Sequence, residues 1–407
     1  MTRSRTTNVD ETKAGDLPLP DPLVMADGSR VTDAAGWAER RAELLRLFET
    51  EVYGRTPGGR PPGMRFVVTE QRGDALGGTA TRKQVDIVLA DRPDAPVIHL
   101  LLYIPNERTG PVPCFLALNF DGNHAATGDP AVPLSTGWML PLEDGRVIDH
   151  RATEAGRGTE AHCWAFEEVI ARGFASATAY YGDIDPDFDD GFANGVHPLF
   201  HAPGRTRPAD GWGSIGAWAW GMSRMLDYLE TDRDIDAGRV VATGHSRLGK
   251  TALWCGAQDT RFAAVISNCS GAGGAALSRR CYGETIADLN ERFPHWFSAR
   301  FATYNDNEAA LPIDQHELIA LLAPRPVLVN SAVEDTWADP KGEFLSVYHA
   351  GPVFRLLGRT SPPTDRWPGV HELVNTHAGY RLRPGGHDVL PEDWQTYIDW
   401  VTTQWKR

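Results

Sequence analysis

The sequence predicts an α/β fold: a three-layer sandwich around a mostly parallel, doubly wound sheet, with an antiparallel extension on its N-terminal side. Three observations predict it. From Val97 onward, short apolar runs alternate with helical patterns. Those runs are apolar on both faces, as strands covered by helices on either side must be. One of them passes straight into Gly-x-Ser and then into a helix, a turn that lifts a serine to the end of a sheet.

The elements follow in order. Met1 to Leu23 is polar and charged, with Arg3, Arg5, Asp10, Glu11 and Lys13, and contains no apolar segment of a secretory signal. Residues 1–30 read as a flexible arm, and 31–407 as one α/β domain with insertions. A helix is expected over 33–53, with its cap in Val31-Thr32-Asp33 and Trp37, Leu44, Leu45, Leu47 and Phe48 as a stripe. Two strands, 64–70 and 84–89, alternate with period two and form the antiparallel extension. Strands are then expected at 97–104, 114–118, 174–181, 239–243, 262–267, 326–330 and 379–383. Between and after them come helices at 214–230, 248–257, 314–322, 340–357 and 391–404. The stretch 122–168 is the longest without a clear pattern, and such stretches often carry function. Trp218, Trp220 and Trp254 sit on helices and read as core.

Composition narrows the classes. The chain has 407 residues, 42% hydrophobic and 23% charged, which is ordinary for a folded protein. Its 40 Lys and Arg against 54 Asp and Glu give a net charge of −14. An acidic surface repels phosphate backbones, so no nucleic-acid partner is expected. No run approaches the ~18 apolar residues of a membrane span. The five cysteines, Cys114, Cys163, Cys255, Cys269 and Cys281, form no C-x-x-C pair. They read mainly as small buried hydrophobes, with a bridge among the last three left open.

The chemistry lies in Gly244-His245-Ser246-Arg247-Leu248-Gly249-Lys250. The helix start behind Ser246 aims backbone N–H groups at an oxyanion developing on an ester attacked by this serine. An α/β hydrolase then needs an acid and a histidine later in the chain, in that order. His387 follows the last strand in Pro384-Gly385-Gly386-His387-Asp388, and Asp335 follows the strand before it. The adjacent Glu334 reads as a solvated charge. The carboxylate would hold the imidazole tautomer. Lys250 lies one turn beyond Ser246 on the same face. Together with Arg247 it puts cations where the helix dipole disfavours them, a cost that an oxygen-rich substrate would offset.

The same residues resemble the G-[CH]-S-R-x-G-K signature of the glucuronoyl esterases, carbohydrate esterase family 15, including the unusual offset of the second glycine. Gly216 to Gly221, Ser270-Gly271-Ala272-Gly273-Gly274 and His295-Trp296-Phe297-Ser298 also match. The resemblance points to the bacterial branch. It implies a serine esterase acting on the ester between (4-O-methyl-)glucuronic acid of xylan and lignin alcohols. Ser246 would be the nucleophile, His387 the base, Arg247 an oxyanion donor, and Lys250, Glu284 and Trp337 the uronate pocket. It implies no cofactor and no metal, a monomer, no membrane partner, and a secreted or periplasmic enzyme, although the chain itself does not fix the compartment. The alternative reading is an acetyl xylan esterase, or another small-ester carbohydrate esterase, of the same fold. Fungal members carry a catalytic Glu where this sequence has Cys269, which leaves Asp335 as the acid.

Three further features are ambiguous. Asn119-Phe120-Asp121-Gly122-Asn123-His124 falls where α/β hydrolases place a second oxyanion donor, but a polar turn explains it equally well. His124 with Asp121 suggests a metal pair. The run Asp183 to Asp190 has calcium-loop spacing in part but lacks the EF-hand pattern, and is expected to be a solvated acidic loop.

Overall fold

A computed structural model describes residues 7–15, 18–200 and 207–406. The chain opens with α1 (Ala34–Glu51), whose cap is Asp33 accepting from the Gly36 N–H. Next come β1 (Arg65–Asp74), the kinked turn α2 (Ala75–Gly78), β2 (Ala80–Val88), β3 (Val97–Pro105) and β4 (Val112–Asn119). The long insertion holds a small hairpin, β5 (Val147–Ile148) with β6 (Arg151–Ala152), and runs into α3 (Phe166–Ala171). Then follow β7 (Ala175–Tyr180), α4 (Ser214–Leu229), β8 (Ile235–His245), α5 (Arg247–Gln258) and β9 (Ala264–Asn268). The last part contains α6 (Ile286–Arg292), α7 (Gln315–Ala320), β10 (Val327–Ala332), α8 (Pro340–Leu356), β11 (Leu373–Val374), β12 (Ala378–Arg383) and α9 (Pro391–Trp405).

Ten strands form one sheet in the order β1-β2-β3-β7-β4-β8-β9-β10-β12-β11. β7, β4, β8, β9, β10 and β12 pair in parallel, and β1, β2 and β3 extend the sheet antiparallel, as the sequence leads one to expect. This is the α/β-hydrolase arrangement.

Period-two alternation divides the core into two layers. On β3, Leu100, Leu102 and Ile104 join one apolar cluster, while Leu101 and Tyr103 join the other. The first layer packs under α1, α4, α5, α7 and α8, through Phe48, Trp218, Trp254, Leu318 and Phe354 among others. The second packs under α3 and α9, through Val169, Trp394 and Trp400. The helical tryptophans Trp218, Trp220 and Trp254 are buried, as expected. All five cysteines are free, and Cys114, Cys255 and Cys269 are buried.

Two sequence expectations change. The arm was expected to be flexible, and its stretch 1–6 lies outside the described residues. Residues 7–15 are instead tied to the body: Gly283 N donates to Asn8 O at 2.8 Å, and Arg280 and Lys341 reach the Glu11 carboxylate at 2.8 Å each. Buried Arg280 and the exposed cation of Lys341 supply partners that local composition does not reveal. The run 183–190 is not a solvated loop as a whole. Asp185 and Asp187 are 3% and 5% exposed, because distant partners take them up: Trp218 Nε1 donates to Asp185 O, and Arg247, His295 and Trp296 meet the Asp187 carboxylate. No helix among the described residues is long and apolar enough to cross a membrane.

Candidate active site

Parallel pairing brings the site together. In β8 and β9, His245 pairs with Asn268; in β9 and β10, Asn268 pairs with Asn330; in β10 and β12, Ala332 pairs with Arg383. The segments that leave these strands therefore emerge side by side at one sheet edge. Ser246, Asp335 and His387 lie one, three and four residues beyond three of those strand ends.

Ser246 has φ 55° and ψ −127°, outside the comfortable regions for a residue with a side chain. The strain is held by its neighbours. Its N–H donates to Asn268 O at 2.9 Å, and its carbonyl accepts from Gly249 and Lys250 as α5 begins. Gly244 permits the turn, since a Cβ there would meet Leu248 O at 2.0 Å. The displaced second glycine has its own cause. A Cβ on Gly249 would approach Ser270 Cβ at 3.0 Å and Ser267 Oγ at 3.1 Å, where α5 packs on the chain after β9.

His387 Nδ1 and Asp335 Oδ2 are 2.6 Å apart. The Asp335 side chain is 4% exposed and that of His387 42%, so the imidazole is anchored from below and open above. Arg383, wholly buried, binds the carbonyls of Pro384, Gly386 and Asp388 at 2.8, 3.0 and 2.6 Å and shapes the loop that carries His387. The His245 ring lies 4.4 Å from that of His387, centre to centre, tilted by 45°. Burial, then the charge of His387, hold His245 well below the usual imidazole range, so it packs as a neutral ring.

Arg247 projects from the first turn of α5. Its guanidinium pairs with Asp187 and lies 4.8 Å over the Trp296 ring. Asp187 also accepts from Trp296 Nε1 at 2.7 Å and Tyr181 OH at 3.0 Å, and meets His295 Nε2 at 2.8 Å. Burial pushes the Asp187 carboxyl up, but His295, Arg247 and Trp296 outweigh it and hold it below the ordinary carboxylate range. Arg247 Nε is buried without an acceptor among the described residues. Among the first N–H groups of α5, those of Gly249 and Lys250 are taken by Ser246 O, which leaves those of Arg247 and Leu248 at the helix start.

Lys250 is 4% exposed. Its ammonium donates to Ser270 O at 2.6 Å and to Glu284 Oε2 at 3.3 Å. Trp337 stands above this pair, its carbonyl accepting from Glu284 N at 2.9 Å and its ring 5.3 Å beneath the Arg292 guanidinium. Ser246, Arg247, Lys250, Glu284, Asp335, Trp337 and His387 line one cleft of about 230 Å3, so all seven residues singled out from the sequence meet there. A second cavity of about 360 Å3 opens on the other side of Ser246 and His387, with Phe120, Ala125, Ala126, Trp164 and Trp394 in its wall.

Sequence reasoning missed several supports. Asp187 was hidden in an acidic run, and only its offset from Arg247 in three dimensions reveals it. Glu343 is fully buried and binds Ser270 N and Gly271 N at 2.8 and 2.9 Å, fixing the segment that receives Lys250. No local pattern marks it. The ambiguous Asn119 turns inward, its amide bonded to Asn123 and Thr178 at 2.8 and 3.0 Å. His124 is 1% exposed and held by burial at a pKa of about 4, so it packs as a neutral ring rather than pairing with Asp121.

The chain is similar to known proteins along nearly its whole length. The sequence model described as "Glucuronyl esterase, fungi" matches residues 207–358. Carbohydrate esterase MZ0003, from an unknown prokaryotic organism, is 50% identical over 397 residues, covering 97% of this chain and 91% of its own length. A solved esterase of carbohydrate esterase family 15 from a marine bacterial metagenome, described as promiscuous, is 49% identical. It superposes with a TM-score of 0.91 over 98% of this chain and 99% of that one. The solved glucuronoyl esterase of Solibacter usitatus is 46% identical with a TM-score of 0.91, covering 97% of this chain and 100% of that one. A relative of such identity along nearly the whole chain carries more than the fold: the chain is a carboxylic ester hydrolase and belongs to the glucuronoyl esterases of carbohydrate esterase family 15.

Proposed function

We propose that the protein hydrolyses esters between (4-O-methyl-)glucuronic acid of xylan and lignin alcohols, through a Ser246-His387-Asp335 triad. The single observation that carries this reading is the 2.6 Å His387–Asp335 bond next to strained Ser246, in the same cleft as the buried Lys250–Glu284 pair. Ser246 Oγ attacks the uronoyl carbonyl, and His387 takes its proton. Asp335 holds the tautomer and stabilises the imidazolium. The oxyanion is received by the Arg247 backbone N–H and guanidinium, donors already oriented by Asp187. His387 returns the proton to the departing alcohol. A water deprotonated by His387 then cleaves the uronoyl–Ser246 ester and frees the acid.

In this reading, the Lys250 ammonium and the Glu284 carboxylate bind sugar hydroxyls, and Trp337 covers the apolar face of the ring. The alcohol departs towards Phe120 and Trp164, where an aromatic group finds apolar contact. A side-by-side assay of benzyl glucuronate, methyl glucuronate and an acetylated sugar tests the reading. Turnover of both uronate esters well above the acetyl ester is expected. Turnover of the acetylated sugar alone would overturn it in favour of a small-ester enzyme.

A further inference from the structure

We propose that Glu160, His162, Cys163 and Asp388 form a tetrahedral site for one zinc-class divalent cation at the mouth of the cavity beside His387. The four side chains come from two distant stretches. Glu160, His162 and Cys163 belong to the insertion after β4, around a single 3-10 turn, Ala161–Cys163. Asp388 follows His387 directly.

The donor atoms of Glu160, His162 and Cys163 lie within 4.8 Å of one another, and Asp388 stands against two of them. Cys163 Sγ lies 3.2 Å from His162 Nε2, 3.7 Å from Glu160 Oε2 and 3.8 Å from Asp388 Oδ1. His162 Nε2 lies 3.8 Å from Asp388 Oδ1. Zinc binds thiolate at ~2.3 Å, imidazole at ~2.0–2.1 Å and carboxylate at ~2.0–2.2 Å, so a tetrahedron of these ligands has edges of roughly 3.3–3.6 Å. The four separations above, 3.2–3.8 Å, lie near that range, and binding would draw the Glu160 and Asp388 carboxylates together to close the tetrahedron. One nitrogen, one sulfur and two oxygens suit zinc and cobalt(II) better than calcium or magnesium, which take oxygen ligands.

The shell behind the donors is built as metal sites require. Arg146 donates to Glu160 Oε1 at 2.8 Å, leaving Oε2 to face Cys163. Val389 N donates to Asp388 Oδ1 at 2.7 Å and fixes that carboxylate. Trp394 Nε1 donates to Cys163 O at 2.7 Å and pins the backbone that carries the thiol. On binding, the thiol proton leaves to solvent and the cation takes its place between sulfur and the two carboxylates.

The ion would sit beside the catalytic machinery without entering the proposed reaction. It would join the insertion to the His387 loop and narrow the entrance on the alcohol side. A second group, Cys269 with Asp335 and His387, also holds donor atoms within 4.8 Å of one another, so the test must separate the two.

The experiment titrates the full-length protein with cobalt(II) and zinc(II) under reducing conditions. Expected are one ion per chain, the intense visible bands of tetrahedral cobalt(II), and a thiolate-to-cobalt charge-transfer band. Cys163→Ser should remove that band. His162→Ala, at a half-exposed side chain, should weaken binding by more than the about 10-fold that losing an outer-shell partner costs. Cys269→Ser should leave both spectrum and affinity unchanged. Octahedral cobalt without a thiolate band would overturn the proposal. So would wild-type binding in both Cys163→Ser and His162→Ala, or loss of the band in Cys269→Ser instead.

Discussion

The two walls that meet at Ser246 and His387 are built from different parts of the chain and by different physics. One wall carries Lys250, Glu284, Arg292 and Trp337, on segments that leave β8, β9 and β10. Lys250 and Glu284 are buried and paired there, Arg292 is exposed over the Trp337 ring, and Glu343 locks the backbone of the segment that receives Lys250. The other wall carries Phe120, Ala125, Ala126, Trp164 and Trp394, mostly from the chain after β4 and its long insertion. It holds its shape by apolar and ring contacts, such as Trp164 with Trp394 at 6.3 Å. In the proposed reading, recognition of the acid half is tied to the strands that lead into Ser246, Asp335 and the Lys250–Glu284 pair, while the face offered to the alcohol would hang on an insertion, which can vary without disturbing the core.

The largest effects should erase the distinction between the walls, because they remove the chemistry that both serve. Ser246→Ala should lower kcat by about 10⁴ or more with the fold intact. Steady-state rates on a uronate ester and on an acetyl ester check this, and full retention of esterase activity would remove Ser246 from the reaction. Asp335→Asn should cost up to about 10⁴ by favouring the wrong imidazole tautomer. Near wild-type rates in Asp335→Asn, with an inactive Cys269→Ala, would move the acid to position 269.

Smaller effects should separate the walls. A charge-assisted hydrogen bond is worth ~1.5–3 kcal/mol, or roughly 10- to 150-fold at 1.4 kcal/mol per decade. Lys250→Ala should lower kcat/KM for glucuronate esters by that factor and leave a small acetate ester almost untouched. Because it strands Glu284 in a buried site, the comparison is best repeated in Lys250→Met with Glu284→Gln, which leaves no unpaired charge. Equal losses on both substrates would place Lys250 in the oxyanion site or the fold. Phe120→Ala should act on the other half. An aromatic contact adds ~0.5–1.5 kcal/mol, about 2- to 12-fold, so benzyl glucuronate should suffer by that factor relative to methyl glucuronate. An unchanged ratio would direct the alcohol elsewhere.

The same division decided what could be read from the sequence. The strands, the elbow and the placing of Ser246, Asp335 and His387 after strand ends follow from local pattern, because a parallel sheet brings successive strand ends to one edge, whereas the strand order appears only in the fold. Gly249 at its odd offset was legible as a family feature, and its physical cause, the approach of α5 to Ser270, only in three dimensions. Asp187 was misread because an acidic run looks solvated until its partners Arg247, His295 and Trp296, 60, 108 and 109 residues away, are brought to it. Glu343 and Arg383 were silent for the same reason: a buried charge on an otherwise ordinary helix or strand has no local signature.

Glu343 gives the smallest effect on turnover and the sharpest view of how the acid-side wall is held. Burial pushes its carboxyl up from an ordinary 4.5 to about 7, and the negative charge of Asp335 adds to this. The Ser331 hydroxyl, the Gly271 N–H and the Ser270 hydroxyl pull in the opposite direction and fall short. The folded protein therefore keeps a proton that the unfolded chain releases above pH 4.5. Below pH 4.5 both states are protonated and nothing is lost. As pH rises from about 4.5 to about 7, the folded state alone holds the proton, so stability falls. The full cost, ~3 kcal/mol at 1.36 kcal/mol per pH unit, is reached above about 7. Glu343→Gln cannot ionise, yet its amide oxygen can still accept from Ser270 and Gly271. Urea unfolding across pH 4.5–7 should show this contribution in the wild type and its absence in Glu343→Gln. Asp335→Asn, which removes the nearby negative charge, should give an intermediate slope. Identical pH profiles in all three proteins would mean that Glu343 is ionised in the fold throughout, its charge fully met by the four donors around it.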